Sequence, residues 1–71
     1  MKQVFKYTTS EEYTYFEIVK EKSNLFGIYL CDNNSRKLIT HRQTYNIAKR
    51  VAKMLQQTFN LGYELAKLTY Y

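Results

Sequence analysis

The apolar residues of this chain repeat on two periods, every second position up to about residue 40 and every third or fourth beyond it. That switch constrains the fold more than any other feature, because a period of two belongs to strands and a period near 3.6 to helices. In the first part, "YTYFEIVKEK" places Phe16 and Ile18 on one face and Tyr13, Tyr15, Glu17 and Val19 on the other. "LFGIYLC" does the same with Phe26, Ile28 and Leu30 against Leu25, Gly27, Tyr29 and Cys31. "VFKYT" before them and "RKLIT" after them read as shorter strands, the last reached through the turn-forming "DNNS".

From Thr40 the pattern becomes helical. Ile47, Val51, Leu55 and Phe59 step by four, with Ala48, Ala52 and Met54 beside them, which predicts one buried stripe. Thr40 and Gln43 have the spacing of a capping box, and Asn60 and Gly62 are expected stops. The segment from Gly62 to Tyr71 reads either as a last strand or as a short helix, since Leu65 and Leu68 have helical spacing while the Gly-Tyr entry and terminal tyrosines suit a strand, and the strand is the favoured expectation. The fold expected is α+β: a small antiparallel β-meander of three to four strands, one amphipathic helix packed on one face, and a short C-terminal strand, in the order β-β-β-(β)-α-β.

Residues 1–71 are too few for two cores, so a single domain is expected. Met1 followed directly by patterned sequence is read as a complete small product. A lone cysteine, Cys31, excludes an intrachain disulfide, and no run approaches the ~20 apolar residues of a membrane span. Cytoplasmic residence is the expectation, in a host cytoplasm if the product is viral.

The net charge of +5 is unevenly distributed. Up to Asp32 four lysines face five acids, whereas from Asn33 to Tyr63 there are six basic residues, Arg36, Lys37, Arg42, Lys49, Arg50 and Lys53, and no acid. Such a face attracts anionic partners. The chain also has eight tyrosines, too many to bury with satisfied hydroxyls, so several are expected at the surface. Tyr13, Tyr15 and Tyr29, on the strand faces away from the helix, are the candidates.

Catalytic chemistry finds little material. Cys31 and His41 are the sole thiol and the sole imidazole, and a cysteine hydrolase would need them in contact. Glu17 and Glu21 are read as solvated charge, and four clustered Cys or His ligands for zinc are not available. No glycine-rich phosphate loop, zinc-finger, RNP1 or KH motif is present. No enzyme activity, metal or cofactor is expected.

The strand-strand-strand-helix order resembles that of small DNA-binding domains of the integrase N-terminal type, without their motif residues. A small, basic, tyrosine-rich chain with a single cysteine is also similar to the accessory proteins of phages and mobile elements. The expectation is therefore a non-enzymatic binding protein or inhibitor. It would dock through Arg36, Lys37, Arg42, Lys49, Arg50, Lys53, Tyr13, Tyr15 and Tyr29 on an acidic surface of a nucleic-acid-processing complex. Direct DNA or RNA binding by the basic helix is the alternative, and a homodimer through the open sheet face or edge is a further expectation. No membrane partner is expected.

Overall fold

The structure is a computed structural model that describes residues 2–70, with side chains from 3 to 65. Four strands, β1 (Lys2–Thr8), β2 (Tyr15–Lys22), β3 (Leu25–Cys31) and β4 (Arg36–Arg42), precede one helix, α1 (Tyr45–Tyr70). All pairings are antiparallel and the sheet order is β1-β2-β3-β4, the meander that short connections impose. The turn at Asp32 is closed by its own carboxylate, which accepts from the backbone N–H groups of Asn34 and Ser35, each at 2.8 Å. Those two N–H groups also hold the Asp32 carboxyl below its ordinary value. The loop between β1 and β2 instead contains Tyr13 at φ 68°, a left-handed backbone carried by a non-glycine residue.

α1 lies across one face of the sheet. Ile18, Ile28, Ala48 and Ala52 are fully buried at 0% exposure and cluster with Phe26, with Val4, Tyr7, Tyr45, Val51 and Leu55 packed around them. The alternation of β2 and β3 places Ile18, Ile28 and Phe26 on this face, as their spacing requires. Phe16 meets Phe59 edge to face at a centroid distance of 6.0 Å. On the β1 side, the Gln56 amide donates to the Thr8 carbonyl at 2.5 Å and the Asn60 side-chain oxygen accepts from the Ser10 N–H at 2.7 Å.

Three sequence expectations for the helix are corrected. Its sheet-facing stripe is rotated: Ala48 and Ala52 are the buried positions, whereas Ile47 and Met54 are exposed. Small residues at the contact bring the helix backbone close to the sheet, and larger neighbours are turned outward. The cap is Thr44, not Thr40, which belongs to β4. The Thr44 hydroxyl accepts from the Ile47 N–H at 3.2 Å, and the Thr44 carbonyl accepts from the Ala48 N–H at 3.0 Å.

The third correction is the C-terminal strand, which does not form. α1 runs on through Gly62 to Tyr70, and of this segment Tyr71 lies outside the described residues. No described glycine takes a positive φ, so Gly62 is a tolerated helical residue and not a stop. A further strand would also need a regular edge to pair with. Both edge strands are interrupted, β1 by a bulge between Gln3 and Phe5, and β4 by an extra residue, Ile39, opposite the Ile28–Tyr29 step. A helix of 26 residues is about 39 Å long against roughly 26 Å for a strand of eight, and the long axis of the molecule reaches 46 Å.

The cap assignment is testable. Thr44→Ala is expected to lower unfolding free energy by about 1 kcal/mol in denaturant titrations, and Thr44→Asp to retain wild-type stability. Thr40→Ala has no cap to remove.

Candidate functional site

The face of the sheet away from α1 is roofed by its own side chains. Glu17 is only 7% exposed and Val19 1%, although no second element covers them. Arg36 reaches across from β4 and donates through Nε at 2.8 Å and a terminal nitrogen at 2.6 Å to one Glu17 oxygen, while Gln3 donates to the other. The Arg36 guanidinium also stacks on the Tyr29 ring, 4.1 Å from its centroid. Glu17, expected to be solvated, is instead the centre of a charge-assisted network, because its neighbours on β1 and β4 present donors to it.

A second cluster lies beside it. Glu21 is the extra residue of a bulge between Lys20 and Lys22, and its carboxylate accepts from the Tyr29 hydroxyl and from His41 Nε2, the latter at 2.5 Å. Gly27 makes the arrangement sterically feasible. A Cβ there would sit 2.9 Å from the Tyr29 ring and 3.2 Å from the Glu21 carboxylate, so only a bare backbone lets both lie across it. The Tyr29 and His41 hydrogen bonds hold the Glu21 carboxyl below its ordinary value. The same bond to Glu21, reinforced by burial, raises the Tyr29 phenol.

At the far end of this face are Tyr15, Cys31 and Lys6. The Lys6 ammonium sits 4.3 Å from the Tyr15 ring centroid. Burial and the neighbouring Glu17 push the Cys31 thiol up, which favours the neutral form. Negative charge on Cys31, burial and Glu17 raise Tyr15 as well. Cys31 pairs with Arg36 and His41 pairs with Gly27, so thiol and imidazole are four residues apart along β3, roughly 13 Å at the rise of a strand. They do not form the contact a cysteine nucleophile needs. Among the described residues no three Cys, His, Asp or Glu side chains converge on a metal position, and no pocket is present.

The structure therefore divides the residues singled out by sequence. Tyr15, Tyr29 and Arg36 share the roofed face, with their polar atoms engaged there. Tyr13 stands alone on its loop, exposed. Lys37 is exposed on β4, and Arg42 donates to the Thr40 hydroxyl at 2.6 Å and to the His41 carbonyl at 2.7 Å. Lys49 is half-buried, 5.5 Å from the ring centroids of both Phe5 and Tyr45. Arg50 and Lys53 are outward on α1, next to exposed Asn46 and Gln57, and neither is in a salt bridge among the described residues. Basic strip and tyrosine face lie on opposite sides of the sheet.

Sequence reasoning missed Glu17, Glu21, His41 and Gln3 as members of one surface. The signal that could have found them is Gly27, an isolated glycine within a strand, which marks a close approach by other groups. No family model matches the chain, and no curated protein or solved structure does. Among the described residues no helix is long and apolar enough to cross a membrane.

Two predictions follow from the roof. Gly27→Ala is expected to destabilise the fold by about 1–3 kcal/mol in denaturant titrations, and most of that loss should vanish in a Tyr29→Ala background, where the ring no longer collides. Glu21 adds a pH dependence. Its lowered folded value means that its contribution is complete above the ordinary carboxylate range and is lost as pH falls through the folded value. Glu21→Gln should therefore show a shallower loss of stability than wild type when unfolding midpoints are followed from neutral pH into acid.

Proposed function

We propose that this chain is a non-enzymatic binding protein that docks the outward strip of α1 on an acidic protein surface. The observation that supports this reading is the strip itself: Asn46, Arg50, Lys53 and Gln57 are exposed on one helix face, and among the described residues no carboxylate forms a salt bridge with its cations. Lys49 borders it on the β1 side, where its ammonium lies 5.5 Å from the ring centroids of Phe5 and Tyr45. A rigid helix face carrying uncompensated cations and amides gains most from a partner that supplies carboxylates, since these form charge-assisted hydrogen bonds with both residue types.

Direct nucleic-acid binding draws less support. Affinity for single strands depends on aromatic rings beside the phosphate contacts. Here Tyr15 and Tyr29 are on the other side of the sheet, under Lys6 and Arg36. The strip alone offers few phosphate contacts, and Arg36 is engaged by Glu17. As an accessory factor or inhibitor, the protein would act by occupying a partner's surface, an acidic patch on a nucleic-acid-processing complex being the class its charge suits.

The test uses Asn46→Glu/Lys53→Glu, two exposed positions that leave Lys49 in place. Capture from lysate of the source cells, read by mass spectrometry, is expected to yield acidic proteins with wild-type bait and to lose them with the variant, whose circular dichroism stays unchanged. Retention by the variant would overturn the assignment. Micromolar binding to duplex or single-stranded oligonucleotides with a steep salt slope would transfer it to nucleic acid.

A further inference from the structure

α1 has a second apolar seam that the sheet does not use. Positions 47, 51, 54, 58, 61 and 65 step by four, three, four, three and four, and all but Thr58 are Ile, Val, Met or Leu. This is the spacing by which one helix packs along another. By helical geometry the seam lies about 110° around α1 from the positions that face the sheet. Ile47 is 42% exposed, Met54 56%, Leu61 62% and Leu65 54%, with Val51 half-buried at the margin. Lys49, Gln56 and Asn60 reach β1 and its loop, so the seam is on the β4 side.

We infer that the chain pairs with a second copy of itself along this seam, helix against helix and antiparallel about a twofold axis. The seam is self-complementary in one register. Ile47 then meets the second copy's Leu65, Val51 meets Leu61, and Met54 meets Thr58, each contact occurring twice by symmetry. The flanking charges agree with the same register. Glu64 is the sole acid after Asp32, and antiparallel alignment sets it against Arg50 of the other copy, again twice, with Gln57 beside its own equivalent at the axis.

On the opposite flank Gly62 is exposed. A Cβ on Gly62 would meet nothing within 4 Å in the single chain, so this flank has room for a second body. A parallel arrangement directs Arg50 toward Leu55 and leaves Glu64 without a cation. An acidic partner helix would place like charge against Glu64. Pairing through sheet edges is opposed by the bulges in β1 and β4, which break the ladder a new strand would extend.

The pairing goes beyond the docking reading and takes up Arg50 and Gln57 at the border of the strip, but it leaves Asn46 and Lys53 free, since both point away from the seam. Solution mass, measured by sedimentation or light scattering from low micromolar to near-millimolar concentration, is expected to show a monomer–dimer equilibrium. Met54→Glu/Leu61→Glu should be monomeric with unchanged circular dichroism, since both residues are exposed. Arg50→Glu and Glu64→Arg should each weaken pairing by about tenfold, and the two together should restore it to within about threefold of wild type. A wild type that stays monomeric throughout, or a double reversal no tighter than either single one, would overturn the inference. Asn46→Glu/Lys53→Glu should leave the mass unchanged, which separates failure of the pairing from failure of the docking reading.

Discussion

Ala48 and Ala52 rest on Ile18 and Ile28, and the positions of the remaining groups follow from that contact. Two methyl side chains let the helix backbone approach the sheet closely enough for the central isoleucines to lose all solvent exposure. Each such burial contributes about 1.5–3 kcal/mol, a large share of what a domain this small can accumulate. Once the alanines face inward, the rest of α1 is oriented by geometry alone. Phe59 meets Phe16, Gln56 and Asn60 tie down the β1 loop, and Ile47, Met54 and Leu61 are carried outward.

With α1 used on one face, the other face has no covering element among the described residues. The chain answers with long amphipathic side chains laid over the sheet. Tyr15, Tyr29 and Arg36 lie over this face, and the polar ends of Tyr29 and Arg36 find partners in Glu21 and Glu17. A tyrosine committed in this way has its hydroxyl and one ring face already occupied. The same rings that look like a binding surface in composition are therefore structural cover, and the docking proposed above is placed on α1 instead.

α1 then offers two outward surfaces side by side. Arg50 and Lys53 mark a polar and basic strip suited to carboxylates, and the four-three seam suits another helix. Arg50 and Gln57 lie on the border, where pairing of two copies would align two strips on one body. The proposed assembly would engage an acidic partner at two points, and affinity would then depend on the spacing of the partner's charges as well as on each contact.

Strand and helix periods, the turn closed by Asp32, the opposite strand faces of Ile18 and Val19, and the acid-free stretch from Asn33 to Tyr63 are properties of local order along the chain, and the sequence by itself determined them. Rotation of the helix, the cap at Thr44, helix instead of strand after Gly62, and the burial of Glu17 were decided only in tertiary structure. The helical stretch contains two overlapping apolar stripes, and neither outranks the other until a sheet is present to prefer the one with small residues. Glu17 likewise reads as solvated until β1 and β4 bring Gln3 and Arg36 to its two oxygens. The physical reason is common to both: a side chain's burial depends on neighbours distant in sequence, whereas its place on a strand or helix face depends on neighbours a few residues away.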